Sequence, residues 1–587
     1  MCGIAGIVGL QTKQFESSVR KMTTCIAHRG PDAEDCVTFE NCILGHRRLS
    51  IIDLSTGDQP MHSPYGATII FNGEFYGYKQ VKKLLNYPYK TKSDTEVILA
   101  LYHQYGPNDF IKHIRGMFSF AIWDEKNQLL IAARDRFGEK PFFYAYTKEG
   151  HLIFASEIKS ILASGLIEPE IKPESLVHYL QHLYVHPHHT IYKNIFNLPP
   201  AHYLIFQNGN TTINRYWDLP CQQLKISFDD AKSECRRLLK KSVEEQMIAD
   251  VPVGSFLSGG LDSSTITALA SQSTNHQLTT ISFSFGKNNS ELPFSRQISK
   301  KYNTHNIELH QDDYEIAGWF EKMVGIYDEP FADSSCIPTY LVSKMASEKL
   351  KVVLTGDGGD ELMAGYTFWY RPLYLLQNEM SIHGRLKNTV KKIRHPHYRK
   401  NRISEIHLEQ NCFFNKQTLK HLLIKKNTYS FDKFLDQPYN TVDAAMRMDL
   451  LDYMPGDILV KTDRAAMANS LELRAPFLDV DFAEFCISLP EDFKISLDTD
   501  KILLRESFGD LWTPDIKKRS KQGFGAPVHE WLQQKKMQQL KNDYLFDQHN
   551  KIYDWLNFKE CVKYFDQNNY STWILLTLAV WMNRHYT

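Results

Sequence analysis

The 587-residue sequence predicts a chain of α and β elements in two parts, the second of them an α/β parallel sheet with added helices. Three observations carry this prediction. From Val251 onward, short apolar runs alternate with stretches of helical period, as in a doubly wound sheet. Before that, alternating apolar runs at Ala67 to Phe71, Met117 to Trp123, Leu129 to Ala133 and Leu152 to Ala155 are compatible with antiparallel strands. Between the two parts, Gln207-Asn208-Gly209-Asn210 is a turn signal, which places the boundary between about 208 and 225. The expected domains are therefore residues 2–207 and 225–587.

In the second part, Asp229 to Met247 has helical spacing, with Ala231, Cys235, Leu238, Leu239 and Val243 on one stripe. It leads into the apolar run Val251 to Leu257, read as a buried strand. Leu278 to Phe285, Thr304 to Leu309 and Lys351 to Leu354 read as further strands, and Phe294 to Tyr302 as a helix. A ligand in such a sheet sits outside the carboxyl ends of the strands, so the loops after them are the candidate sites. Trp573 to Trp581, the longest apolar run at nine residues, is too short for a bilayer and reads as a buried helix.

Charge and cysteine usage narrow the function classes. Lys plus Arg and Asp plus Glu both number 68, which gives no electrostatic reason to expect a nucleic-acid partner. Ten cysteines without a CxxC pair suggest neither zinc nor a disulfide framework. With no signal peptide and no membrane segment, a cytoplasmic enzyme or binding protein is expected.

The string Val251 to Ser271 organises the second half. Ser258-Gly259-Gly260 is a tight turn between strand and helix, and such a turn cradles phosphate. Backbone N–H groups can approach the anion there, the helix N-terminus is partly positive, and Ser258, Ser263 and Ser264 add hydroxyls. Asp262 stands where a cation would otherwise help, which makes sense if it holds Mg²⁺. A glycine pair among serines also serves ordinary turns; the full SGGLDSS string is more specific and resembles the pyrophosphate loop of the ATP pyrophosphatases.

At the other end, Cys2 would become N-terminal on removal of Met1, and its α-amine, titrating near ~7.7 to 8.0, could serve as base for its own thiol. It is followed by His28-Arg29-Gly30-Pro31-Asp32, His46-Arg47-Arg48-Leu49-Ser50-Ile51, Phe71-Asn72-Gly73-Glu74-Phe75-Tyr76 and Ser93-Asp94-Thr95-Glu96. These strings resemble the glutamine amidotransferase domain of the N-terminal-nucleophile class over roughly residues 2 to 205. The resemblance implies an α+β sandwich of two antiparallel sheets between helix layers (αββα). It also implies roles. Cys2 attacks the glutamine amide; Asn72 and Gly73 form the oxyanion hole; Arg48 grips the glutamine carboxylate; Asp94 pairs with its ammonium, with Glu74 in the same pocket. The family usually reads NGEIYN where this chain has Asn72 to Gly77 as NGEFYG, a departure beyond the oxyanion pair.

The order of SGGLDSS, DEPFADSS (Asp328 to Ser335), TGDGGDEL (Thr355 to Leu362), DRAAMANSLELRAPFLD (Asp463 to Asp479) and KRSKQGFGAP (Lys518 to Pro527) is similar to the bacterial glutamine-hydrolysing asparagine synthetases over nearly the whole chain. The resemblance implies that Ser258, Gly259, Gly260, Asp262 and Ser263 hold pyrophosphate and Mg²⁺, with Asp360 a second metal ligand. Phe256, Leu257 and Phe285 would flank adenine and ribose, and Thr355 and Gly356 complete the ATP site. Asp357 falls at an acidic position used in forming the acyl-adenylate and handling ammonia, and Lys521 at one that neutralises the adenylation transition state. The implied reaction is aspartate, glutamine and ATP to asparagine, glutamate, AMP and pyrophosphate, through a β-aspartyl-AMP intermediate. An acceptor of another kind, such as a sugar uronic acid, shares the same ATP and glutamine motifs. Cys336 lies near the expected acceptor pocket, and a homodimer is compatible with the reading. The basic run Arg385 to Arg402 reads as a solvated surface segment, and His186-Pro187-His188-His189 as a plain loop.

Overall fold

The computed structural model describes residues 1–285, 291–311, 315–380, 403–424, 441–519 and 525–586. Lys521 and the basic run from Arg385 to Arg402 lie outside these residues.

The first part contains twelve strands, β1 (Gly3–Val8), β2 (Ala33–Thr38), β3 (Cys42–Arg48), β4 (Met61–His62), β5 (Ala67–Phe75), β6 (Gly116–Asp124), β7 (Leu129–Arg134), β8 (Phe143–Tyr146), β9 (Leu152–Ala155), β10 (Ile195–Asn197), β11 (His202–Gln207) and β12 (Asn210–Arg215). They form two antiparallel sheets, in the orders β10-β8-β9-β1-β3-β2 and β12-β11-β7-β6-β5-β4. The period-2 alternation of each strand sorts side chains into layers. Ile4 and Val8 of β1 meet Ile70 of β5 and Ala121 and Trp123 of β6 in one core between the sheets. Ala5 and Ile7, pointing the other way, pack with Val19 and Met22 of the helix Glu16–Cys25. Ile69, Phe71, Phe118 and Phe120 pack with Val97, Ile98 and Leu101 of the helix Asp94–Tyr105. Helix, sheet, sheet and helix thus stack as the αββα sandwich expected. Both faces of the central strands are covered, so they lack a polar-out pattern.

The second part is built on five parallel strands, β13 (Val253–Phe256), β14 (Thr279–Phe285), β15 (His305–Gln311), β16 (Val352–Leu354) and β17 (Glu472–Arg474). Their order is β15-β14-β13-β16-β17. The chain therefore reverses its direction of travel across the sheet at β13, between β14 and β16, and a crevice opens there at the carboxyl ends. Two apolar cores cover the two faces. Leu257, Ile266, Leu269 and Leu354 belong to one, and Ile281, Phe283, Val353 and Leu473 to the other. The C-terminal apolar run lies in the helix Tyr570–His585 and is buried, as expected from its composition.

Buried charges join the two parts. Arg29, fully buried, forks onto Asp463 at 2.9 and 3.0 Å, reaches Glu157 at 2.9 Å and donates from Nε to the carbonyl of Cys2 at 3.2 Å. Arg464 continues the network to Glu157 at 3.0 Å and Asp328 at 3.4 Å. Removing one partner of a buried pair strands the other charge, which costs about 3–5 kcal/mol. Arg29→Met is therefore expected to lower the unfolding midpoint strongly in a thermal or urea titration. A midpoint equal to that of the unsubstituted protein would show that this junction does not hold the two parts together.

Candidate functional site

The thiol site lies where β1, β3 and β5 meet. Cys2 precedes β1 and is 7% exposed, and its backbone N–H donates to Asn72 Oδ1 at 2.9 Å. Met1 is in place, so the Cys2 nitrogen is an amide, and the Met1 ammonium pairs with Glu472 at 2.5 Å. Burial pushes the Cys2 thiol upward, while the nearby terminal ammonium, the Leu49 N–H and Arg48 oppose that rise.

Asn72 is fully buried on β5, and its Nδ2 donates to Ser119 Oγ at 3.4 Å. The next residue must be glycine: a Cβ at Gly73 would lie 2.1 Å from the Met117 carbonyl oxygen of β6. Arg48 ends β3 and is held by Asp58 at 2.6 Å and the Asp53 carbonyl at 2.6 Å. Asp94 starts the helix Asp94–Tyr105, where it accepts from the Phe75 and Thr95 N–H groups at 2.9 Å each. Burial raises its pKa and those bonds oppose the rise. Glu74 faces Arg474 of β17 at 3.2 Å. Arg474 and Glu472 lie within the string Asp463 to Asp479, but a short polar strand carries no apolar pattern to mark them as partners of the first part.

The second site is a cavity of about 630 Å³ at the carboxyl ends of β13 and β16. Phe256, Leu257, Ser258, Gly260, Asp262, Ser263, Thr355, Gly356, Asp357 and Asp360 all line it. Gly259 shapes the turn from behind: its φ is +74°, and a Cβ would meet the backbone nitrogen of Ser295 at 2.7 Å. Phe285 ends β14. The helix Leu261–Gln272 begins beside this turn with no side chain capping it, so its first N–H groups face the cavity end. Ser258 Oγ and Ser263 Oγ lie 2.9 Å apart across the turn.

Three basic side chains of the cavity were not foreseen. Lys501, 3% exposed, sits between the two carboxylates expected to hold metal, at 2.6 Å from Asp262 Oδ1 and 2.6 Å from Asp360 Oδ1. Its isolated position just before the helix Ile502–Phe508 offers no sequence signal. Arg519 lies two residues before Lys521 in the string that drew attention to it. It lies over the Phe294 ring at 4.2 Å, pairs with Glu291 at 3.1 Å and reaches the Ser258 carbonyl at 3.4 Å. Lys461 pairs with Asp333 at 2.8 Å on the same wall. Cys336 is buried at the start of the helix Cys336–Ser347 and does not line this cavity. Residues 186–189 form a turn, and among the described residues no group of three or more His, Cys, Asp or Glu is arranged to hold a metal.

A void of about 10 Å³ lies between the two sites, touched by Met1 on one side and by Thr355 and Asp357 on the other. Glu139, Lys140, Thr462 and Asp463 supply its other polar walls, and Leu459, Leu473 and Ala475 its apolar ones. Burial raises the Glu139 carboxyl well above its ordinary range, helped by Asp135 and opposed by Lys140.

Residues 1–217 match the glutamine amidotransferase domain and residues 234–583 match asparagine synthase. Asparagine synthetase [glutamine-hydrolyzing] 1 of Bacillus subtilis is 33% identical over 574 residues, 92% of this chain and 89% of that one. A putative asparagine synthetase [glutamine-hydrolyzing] 2 of Methanocaldococcus jannaschii is 35% identical, covering 81% of this chain and 100% of its own. Amidase chyE of Penicillium rubens is 29% identical over 90% of this chain and 89% of its own. With an amidotransferase domain and a synthase domain in this order, and such likeness over most of its length, the chain belongs to the family of glutamine-hydrolysing asparagine synthetases.

Proposed function

We propose that the protein amidates aspartate to asparagine, taking nitrogen from glutamine and driving the reaction with ATP. The observation that supports this is a thiol beside Asn72 and Gly73 in one part and a cavity at the carboxyl ends of β13 and β16 in the other, with the two parts joined by the buried Arg29–Asp463 and Arg474–Glu74 contacts. A shielded route matters because ammonia is mostly protonated in neutral water and then cannot attack.

With Met1 removed, the Cys2 amine takes the thiol proton and the thiolate attacks the glutamine amide carbon. Asn72 Nδ2 and the Gly73 N–H receive the developing oxyanion, ammonia leaves, and water releases glutamate from the thioester. Arg48 holds the glutamine carboxylate as a planar fork of donors; Asp94 and Glu74 face its ammonium.

In the cavity, the aspartate side-chain carboxylate attacks the α-phosphate of ATP and pyrophosphate departs. The N–H groups of the turn at Ser258 to Gly260, the hydroxyl of Ser263, and Lys501 and Lys521 stabilise the phosphate charge. Ammonia then displaces AMP, with Asp357 placed to accept a proton. Asp262 and Asp360 fit Mg²⁺: their oxygens converge on one point, which the Lys501 ammonium now fills. Two carboxylates with substrate phosphates make a usual Mg²⁺ donor set, and the bound ion would neutralise phosphate charge. Among the described residues, no helix is long and apolar enough to cross a membrane.

Measuring glutamine-dependent pyrophosphate release with a panel of carboxylates tests the proposal. Aspartate is expected to give the largest response, and none with aspartate would reject it.

A further inference from the structure

We infer that Arg474 is a positioning residue that completes the glutamine pocket from the synthetase domain, acting through Glu74 and linking that pocket to the nucleotide loop. The inference rests on the reading above and goes beyond it. Its ground is one side chain with four attachments and one backbone bond. Arg474 is the last residue of β17, the edge strand of the parallel sheet, and is fully buried. Its Nε donates to Glu472 Oε1 at 2.7 Å, and Nη1 donates to the carbonyls of Gln246 at 2.6 Å and Ile248 at 2.8 Å. Nη2 reaches Glu74 at 3.2 Å, across the domain boundary. Glu74 is followed on the same strand by Phe75, whose N–H is held by Asp94, and preceded by Gly73.

The other end of the linkage is main chain. β16 pairs with β17 in parallel register, Leu354 opposite Arg474, and the Thr355 N–H donates to the Arg474 carbonyl at 2.8 Å. Thr355 opens the loop that lines the ATP cavity, and its hydroxyl donates to Asp357 at 2.8 Å. Closure of that loop on nucleotide acts on a residue whose guanidinium ends in the glutamine pocket. Packed cores do not absorb such shifts smoothly, so a displacement at one end is felt at the other. Arg474 is also suited to the electrostatics. Burial, Glu472 and Asp94 push the Glu74 carboxyl upward, and Arg474 is the largest influence opposing them. A lysine could supply the charge there but not the fork.

The test uses the full-length protein and measures glutamine hydrolysis with and without ATP and aspartate, alongside ammonia-dependent synthesis. In the unsubstituted protein, ATP and aspartate are expected to change kcat/KM for glutamine at least about threefold, within the usual range of coupling between sites. In Arg474→Met the KM for glutamine should rise about tenfold and the response to ATP and aspartate should vanish, with ammonia-dependent synthesis within twofold. Arg474→Lys should recover part of the KM but little of the response. In a Glu74→Gln background, Arg474→Met should change KM less than twofold, since the two act as one unit. The inference is overturned by a KM and a response that survive Arg474→Met, by an unsubstituted enzyme that shows no response, or by ammonia-dependent synthesis falling in step with glutamine hydrolysis. If the unsubstituted enzyme makes no asparagine from aspartate, ammonia and ATP, it is the proposed function that fails.

Discussion

Cys2→Ala is expected to abolish glutamine-dependent amidation, by at least about a thousandfold, while ammonia-dependent amidation stays within about twofold. The expectation follows from where the thiol sits. Cys2 lies with Asn72 and Gly73 at the junction of β1 and β5, whereas the phosphate turn lies at the end of β13 in a different core. Alanine fills less space than cysteine, so the small cavity it leaves in the buried site should not unfold the sandwich. Steady-state assays with glutamine or with ammonium as nitrogen source separate the two activities. Equal loss of both would mean that the thiol site and the cavity are not separate chemistries.

The converse variant is Asp262→Asn. Asp262 is one of two carboxylates converging on Lys501, and the only side-chain acid in the first turn of the helix after the phosphate turn. Replacing it keeps the shape but removes a negative charge that the reading assigns to Mg²⁺, so pyrophosphate release is expected to fall about a hundred- to a thousandfold. Glutamine hydrolysis by Cys2 should continue. Raising Mg²⁺ should restore part of the synthetase rate if the loss is one of metal affinity. Normal pyrophosphate release by this variant would remove Asp262 from the site.

The phosphate turn was legible in the sequence because three local signals coincide there: an apolar strand, a glycine pair and the polar start of a helix. Strand ends in the parallel sheet shifted by only a residue or two, as between the expected Lys351 to Leu354 and the observed Val352–Leu354, whereas the run Ala67 to Phe71 extends four residues further to Phe75. The thiol site was legible for another reason. Its strings, Asn72-Gly73-Glu74 among them, resemble a glutamine amidotransferase domain, and residues 1–217 match that domain. What escaped was contact between distant polar residues. Arg29 and Asp463 carry charges that ordinarily face water, yet they are buried against each other. Lys501 meets Asp262 from 239 positions away along the chain. Strand β17 has charged residues at both ends, so neither alternation nor hydrophobicity betrays it; each charge is buried because the other domain supplies its partner.

That burial of complementary charge makes the junction part of both sites. The Met1 ammonium meets Glu472, and Glu74 meets Arg474, both on one strand whose neighbour leads into the cavity loop at Thr355. A synthetase domain cut away from the sandwich would expose this strand edge with its charges unpaired.

Nitrogen freed at Cys2 is expected to reach the activated acid without mixing with solvent. Glutamine carrying a heavy-isotope amide, supplied with ATP and aspartate in a large excess of ordinary ammonium, tests it by mass spectrometry of the product. The account predicts asparagine whose amide is almost wholly heavy; an isotope content diluted to that of the bulk ammonium would contradict it.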